Sequence, residues 1–143
     1  KERKTSFESE SLGHGANRVQ NLKLAWQWDS EALGLKKMQL EQWGAFPIFM
    51  IAGKSGIARV PEREQEKASS LGHSRTCVDH LAFQVTIENY NKAKTTFNDL
   101  KISYEEQDHH YFHSIYIQDP DNHTVELTTL VVEPTPFYKG QIS

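Results

Sequence analysis

The chain has 143 residues and a formal net charge of −3. This length fits one compact domain and is too short for two independent domains of typical size. The small negative charge and the scattered basic residues disfavour nucleic acid as a partner. A single cysteine, Cys77, excludes an internal disulfide, and no apolar run is long enough to span a membrane. We therefore expect a cytoplasmic protein without a membrane partner, in which Cys77 is an inert buried thiol.

The two halves of the chain resemble each other when His14 is aligned with His80. Both halves carry the pattern His-x-Ala-x-x-Val, at residues 14–19 and 80–85. A helix-like stretch follows each pattern, and Leu33 and Leu100 lie 19 and 20 residues after the respective histidines. A repeat of this length predicts two similar modules that share a core, rather than a short solenoid repeat.

Each half predicts a strand, a helix and then three further strands. In the first half the later strand-like runs are residues 35–41, 45–52 and 56–60. In the second half they are residues 102–107, 112–118 and 123–130, and the turn Asp119-Pro-Asp-Asn122 joins the last two. We therefore predict one domain over residues 12–130, with module one at 12–60, a linker at 61–76 and module two at 77–130. Residues 1–11 and 131–143 are predicted to be tails.

Four residues of the first module depart from the apolar pattern of a packed strand or helix. Gly15 and Asn17 occupy positions of the first strand that should face the helix, and Asp29 and Arg59 stand where apolar or aromatic residues are usual. The first strand is therefore the least regular of the predicted elements.

His80 and Glu126 are the strongest candidates for chemistry. Strand alternation places His80 on the face opposite to its apolar neighbours, towards a cleft. Glu126 lies in a strand that is otherwise suited to burial, where an unpaired carboxylate would cost several kcal/mol. A metal ion or a buried arginine must therefore compensate Glu126. Two histidines and one carboxylate on separate strands can hold a divalent metal and leave its other face open.

These features together resemble the vicinal oxygen chelate superfamily. The resemblance rests on the paired modules, the histidine that opens each module, Leu33-Gly-Leu35, and the segment from Asp119 to Leu127. The superfamily contains glyoxalase I, bleomycin-resistance proteins, extradiol ring-cleaving dioxygenases and fosfomycin-modifying thiol transferases. The resemblance implies an α+β fold in which two βαβββ modules form a curled mixed sheet around a central cleft.

The resemblance also implies a ligand set for a divalent metal, made of His14, His80 and Glu126. Fe(II) or Mn(II) is favoured, with Zn(II) or Ni(II) as alternatives. The position of a fourth ligand, common in glyoxalase I, is occupied by Ala58, which favours the dioxygenase and thiol-transferase branches. Ala16 replaces the threonine of the thiol transferases, and this disfavours that branch.

Three further roles are predicted around this centre. The resemblance to ring-cleaving dioxygenases gives Tyr116 a catalytic role, as a hydrogen-bond donor close to the substrate. An acid–base histidine upstream of Tyr116 could be His109, His110 or His113, and the sequence does not choose among them. Arg18 is predicted on the cleft side, where it could hold an anionic group of the substrate or balance Glu126.

We therefore expect a metal-dependent enzyme that acts on a small substrate with two adjacent oxygens. A ring-cleaving dioxygenase is the most specific hypothesis. A lyase or isomerase is an alternative, as is a resistance-type protein that binds a small ligand without chemistry. A homodimer is predicted because this fold commonly pairs and because Trp26, Trp28 and Trp43 exceed what one small core needs.

Overall fold

Eight strands and two α-helices make up the described part of the chain, which comprises residues 8–63 and 77–134 of a computed structural model. Module one contains β1 (Gly15–Val19), α1 (Leu22–Leu33), β2 (Lys36–Met38), a 3₁₀ turn (Glu41–Trp43), β3 (Ile48–Ala52) and β4 (Ser55–Pro61). Module two contains β5 (His80–Gln84), α2 (Ile87–Asp99), β6 (Glu105–Asp108), β7 (Phe112–Gln118) and β8 (Thr124–Leu130).

The two modules have the same topology. Their four-stranded sheets have the orders β1-β4-β3-β2 and β5-β8-β7-β6, and neither sheet closes into a barrel. The first strand of each module is parallel to the last, and the other pairs are antiparallel. A parallel pair needs a crossover connection, and the helix of each module provides it. The predicted α+β fold of two βαβββ modules is confirmed.

The strand register makes residues of the two modules equivalent. In module one, β3 places Phe49 opposite Ala58 of β4. In module two, β7 places Tyr116 opposite Glu126 of β8. Ala58 therefore occupies in module one the position that Glu126 occupies in module two.

Local sequence accounts for the helix ends. The side chain of Asn21 accepts a hydrogen bond from the backbone of Leu24 and caps the start of α1, and Thr86 caps α2 in the same way. At the end of α1, Gly34 has a φ of 67°, a left-handed conformation that glycine adopts without a steric cost. Neither helix in residues 8–63 and 77–134 is long and apolar enough to cross a membrane.

The two modules pack against each other. Ala32 of α1 belongs to the same buried cluster as Tyr90 and Phe97 of α2. Half-buried Phe83 of β5 packs against this cluster and also against the cluster around Met50 of module one. Phe83 thus connects the two buried clusters.

Some predicted boundaries differ from the structure. The strand predicted at residues 35–41 is limited to Lys36–Met38, because the chain turns into the 3₁₀ segment at Glu41, and the strand predicted from residue 102 begins at Glu105. Cys77 is exposed, so the prediction of a buried thiol is wrong. The predicted linker begins within β4, and its residues 64–76 lie outside the described residues, as do residues 1–7 and 135–143 of the predicted tails.

Candidate active site

A cavity of about 440 Å³ lies on one face of the module two sheet. It is lined by His80, Ala82, Gln84, His109, Phe112, Tyr116, Glu126, Thr128 and Leu130. Strand alternation explains this set apart from His109, since every second residue of β5, β7 and β8 points to the same face. The intervening residues, such as Val125 and Leu127, are buried in the core on the other face.

His80 and Glu126 meet in this cavity. The Nε2 atom of His80 lies 2.9 Å from Oε1 of Glu126, and its Nδ1 atom lies 2.8 Å from Oδ2 of Asp79. Glu126 is buried, with a side chain only 5% exposed, whereas that of His80 is 35% exposed. One imidazole therefore bridges an exposed and a buried carboxylate. A carboxylate behind a histidine is a common arrangement at metal sites, where it fixes the ring orientation and the tautomer.

The second oxygen of Glu126 is also bonded. The fully buried hydroxyl of Ser114 donates a hydrogen bond of 2.5 Å to Oε2. This distance is in the range of a charge-assisted O–H···O⁻ bond. Oε1 is therefore the oxygen that faces His80.

Tyr116 and His109 form a second pair in the cavity. The hydroxyl of Tyr116 lies 2.8 Å from Nε2 of His109, and the Tyr116 ring packs edge-on against His80. Burial, and next the negative charge of Glu126, raise the pKa of Tyr116 above its usual value. The phenol therefore keeps its proton at neutral pH and can donate it in a hydrogen bond.

The other two histidines of this hairpin are not part of the cavity lining. His110 adopts a φ of 73° in the turn between β6 and β7, next to Tyr111. His113 lies 3.4 Å from Asp108. Of the three histidines that the sequence left open, His109 is the one that lines the cavity.

His14 is placed in module one in the same way as His80 in module two. It packs edge-on against Phe49 with ring centroids 5.5 Å apart, and His80 packs against Tyr116 at 5.9 Å. Within the single chain, however, His14 does not form a cluster with His80 and Glu126 in which all ligating atoms lie within 4.8 Å of one another. Arg18 donates a hydrogen bond to the carbonyl of Pro61 and is not among the residues that line the cavity.

The irregular residues of module one form a buried charge network. Arg59 is fully buried and donates two hydrogen bonds to the carboxylate of Asp29, at 2.6 and 2.8 Å. It also donates to Asn17 at 2.6 Å and lies 3.2 Å from Asp119 of module two. His123 bonds the same Asp119 oxygen at 2.9 Å. We call these five residues the Arg59 network; it joins module one to the β7–β8 turn.

Asp119, Asp121 and His123 have ligating atoms within 4.8 Å of one another. Within residues 8–63 and 77–134, these three residues form the cluster of His and Asp side chains that is close enough to hold a metal ion. Protein groups already bond them. Asp119 accepts from the backbone of Asp121 and His123 and contacts Arg59, and Asp121 accepts from the backbone of Gln20. The three residues therefore stabilise the β7–β8 turn and attach it to module one.

The sequence did not indicate Asp79 or Ser114 as partners of the central pair. The signal for Ser114 was its spacing, because it lies two residues before Tyr116 and so on the same strand face. The sequence did flag Asn17, Asp29 and Arg59 as departures, but not that they compensate one another.

The fold defines the class of protein to which the chain is similar. The chain has the paired βαβββ fold of the glyoxalase, bleomycin-resistance and dioxygenase proteins, and the resemblance predicted from the sequence is confirmed at the level of the fold. No protein-family model and no curated protein sequence matches it.

Solved structures give the particular similarities. A glyoxalase/dioxygenase from Nostoc punctiforme superposes with a TM-score of 0.70 at 18% identity, over 91% of this chain and 100% of that one. The fosfomycin resistance protein FosX from Listeria monocytogenes gives a TM-score of 0.66 at 17% identity, over 94% and 100%. A lactoylglutathione lyase from Agrobacterium tumefaciens gives 0.64 at 18% identity, over 85% and 94%. At these identities the similarity concerns the fold.

Proposed function

We propose that the chain is a metal-dependent enzyme in which His80 and Glu126 hold a divalent cation at the cavity of module two. The observation that carries the proposal is the 2.9 Å approach of His80 Nε2 to Glu126 Oε1, with His80 Nδ1 turned to Asp79. If Nδ1 carries a proton for Asp79, a neutral ring presents the lone pair of Nε2 to a carboxylate. A cation bound by both atoms removes this repulsion. The alternative is a second proton, on Nε2, which makes the ring an imidazolium that donates to Glu126.

The donor set fits a divalent metal of the first transition row. Imidazole nitrogen together with carboxylate oxygen suits Fe(II) and Mn(II), and Zn(II) and Ni(II) accept the same donors. Buried Glu126 contacts His80 and the neutral hydroxyl of Ser114, so a cation would supply the charge that its burial requires.

His14 is the proposed third ligand, and we infer that a second copy of the chain supplies it. His14 and His80 occupy equivalent positions in the two modules. Within a single chain, however, the ligating atoms of His14, His80 and Glu126 do not all lie within 4.8 Å of one another. A homodimer in which module one of each copy faces the cavity of the other would bring His14 of the partner subunit to His80 and Glu126. The two identical sites would be related by two-fold symmetry.

The proposed substrate is a small molecule with two adjacent oxygens. When bound, the metal would act as a Lewis acid towards these oxygens. Tyr116 and His109 then supply proton chemistry, because the protonated phenol can donate a hydrogen bond to a substrate oxygen and His109 can take up or return a proton through the phenol. Ala82, Phe112 and Leu130 give the cavity apolar walls that suit a ring.

Among reactions of this class we favour ring cleavage by a dioxygenase over glyoxalase-type isomerisation. Ala58 stands at the position equivalent to Glu126, so module one offers no carboxylate to ligate the metal or to move a substrate proton. Arg18 is kept as a proposed contact to an anionic substrate group, and it would need to leave the carbonyl of Pro61 to act in this way.

Metal content tests the proposal. Freshly purified protein, loaded anaerobically with Fe(II), Mn(II), Zn(II) or Ni(II) and measured by elemental analysis, is expected to hold close to one ion per chain. His80→Ala and Glu126→Gln should lose the ion, whereas His110→Ala, which changes a histidine outside the cavity lining, should keep it. Absence of metal from the wild-type protein, or full occupancy in Glu126→Gln, would exclude this site.

The second candidate function is a resistance-type protein that sequesters a small aromatic ligand without chemistry. It is favoured by the largely apolar cavity walls and by the absence of His14 from the His80–Glu126 pair in the single chain. Protein that binds aromatic ligands with equal affinity before and after exhaustive chelation, and that consumes no O₂ with a panel of catechols, would support this alternative.

A further inference from the structure

Ser114 lies directly behind the carboxylate of Glu126 and has no contact with solvent. Its hydroxyl donates to Oε2 at 2.5 Å, and its distance to the Thr128 hydroxyl is 3.4 Å. The first distance is that of a strong hydrogen bond to an ionised group, and the second is at the limit of a weak one. Of these two partners, Glu126 is the one that Ser114 bonds strongly.

The strand register explains why Ser114 reaches this oxygen. Glu126 is paired with Tyr116 across the β7–β8 ladder, and Ser114 is paired with Thr128. Ser114 is thus a diagonal neighbour of Glu126 on the same sheet face. The long side chain of Glu126 can span the distance between such neighbours and reach the Ser114 hydroxyl. Ser114 lies on β7, between β6 and β8, and is 0% exposed, so its hydroxyl has no contact with bulk solvent.

This contact makes the two oxygens of Glu126 different. Oε2 is occupied by the Ser114 hydroxyl, while Oε1 faces His80 at 2.9 Å. With Ser114 in place, the carboxylate has one oxygen turned to the proposed cation and its plane is held. Without the hydroxyl, Oε2 would lose its partner and the carboxylate could turn and offer both oxygens.

We propose that Ser114 is a positioning residue that makes Glu126 offer a single oxygen to the cation. This inference rests on the proposed metal site and specifies how the site is kept open. A carboxylate that binds through one oxygen leaves one more coordination position than a carboxylate that binds through two, and a substrate with two adjacent oxygens requires two vacant positions. Ser114 therefore acts through Glu126 and does not touch the substrate.

The experiment compares four variants with the wild type. Ser114→Ala and Ser114→Cys remove the hydroxyl, Ser114→Thr retains it, and Thr129→Ala removes a buried hydroxyl from the opposite face of β8 as a matched control. Circular dichroism and thermal unfolding identify the variants that fold, and Ser114→Cys, which fills the space of the hydroxyl, replaces Ser114→Ala if the latter does not fold. Affinity for Mn(II) is measured by calorimetry. The coordination of Co(II) is followed by visible absorption and X-ray absorption.

Loss of the hydroxyl is expected to weaken Mn(II) binding about 10-fold or more, the usual effect of removing a group that orients a ligand. The Co(II) spectra should change towards a carboxylate bound through two oxygens, and 4-nitrocatechol should lose its chelate absorption band on the Co(II) protein. Ser114→Thr and Thr129→Ala should match the wild type. If the wild-type protein binds metal, and a folded Ser114→Ala or Ser114→Cys variant has the same affinity and spectrum, the role of Ser114 is overturned while the metal site stands. Wild-type protein that binds no metal would overturn it together with the proposed function.

Discussion

Arg59 carries its charge in the interior of the molecule with a carboxylate on each side. Asp29 binds it through two oxygens, and Asp119 approaches from the other module. Burial acts to lower the pKa of Arg59, but the hydrogen bonds and charges of Asp29 and Asp119 outweigh this and raise it above its usual value. Arg59 is therefore charged in the folded protein. The stability of the fold depends on the contacts of Arg59 with these two carboxylates.

Removal of the charge of Arg59 should be costly unless its main partner is removed as well. We expect Arg59→Met to lower the free energy of unfolding by about 3 to 5 kcal/mol, because Asp29 is left buried without a cation. The double variant Asp29→Leu/Arg59→Met should recover a large part of this loss, since a well-packed apolar pair replaces a buried ion pair at little cost. Urea unfolding measures both values. An Arg59→Met variant as stable as the wild type would contradict the importance of the network.

Asp119 of this network predicts a dependence of stability on pH. Burial acts to raise the pKa of Asp119, but hydrogen bonds from the side chain and backbone of His123 outweigh it, and the pKa lies below its usual value. Since the folded-state pKa is lower than the unfolded value of about 3.9, this contribution is complete above that pH and is lost as the pH falls below it.

His123→Ala should therefore make the acid loss of stability shallower, because the strongest cause of the lowered pKa is removed. The free energy of unfolding measured by urea at pH values from 6 to 3 tests this expectation. His110→Ala, a histidine of a neighbouring turn, should keep the wild-type slope. Identical slopes for His123→Ala and the wild type would show that Asp119 does not contribute in this way.

At the scale of elements, the order of strands and helices could be predicted from the sequence, while their pairing partners could not. The repeat of the histidine pattern and the Asp119-Pro-Asp-Asn122 turn are local signals, and both correspond to elements of the structure. The shortness of β2 was missed, because alternation continues beyond Met38 although the backbone turns into a 3₁₀ segment. Contacts such as Ser114 with Glu126 depend on strand register, which sequence periodicity does not fix.

The end of α1 offers a test of backbone conformation at the element scale. A Cβ atom would meet nothing within 4 Å at either Gly34 or Gly13, but only Gly34 has a positive φ, of 67°. Gly34→Ala should therefore lower the free energy of unfolding by about 1 kcal/mol through strain alone. Gly13→Ala is the matched control and should leave it unchanged. Equal stability of the two variants in urea unfolding would argue against strain at the helix end.

At the scale of the whole molecule, the proposed dimer determines where the third ligand comes from. His14→Ala and Glu126→Gln should each bind little metal as pure proteins. After the two variants are mixed at equal concentration, unfolded and refolded together, half of the dimers should contain one chain of each kind. Such a dimer has one intact site, so total metal should recover to about a quarter of the wild-type amount.

Elemental analysis of the mixture after dialysis measures this recovery. A mixture that stays free of metal, while a refolded wild-type control regains its metal, would show that all ligands come from one chain. Sedimentation at micromolar concentration gives an independent check, since a purely monomeric protein cannot complement in this way.

The register that equates β4 with β8 also shows how the two halves differ. Position 58 of β4 is alanine and the next residue is Arg59, whereas the equivalent residues of β8 are Glu126 and Leu127. The acidic side chain of β8 faces the cavity and its apolar neighbour the core; in β4 the apolar side chain has the cavity position and the charged one is fully buried. At this strand position the first half thus carries an internal charge that joins it to Asp119 of the second half. Giving the first half the residues of the second at positions 58 and 59 would therefore change both faces of this strand together.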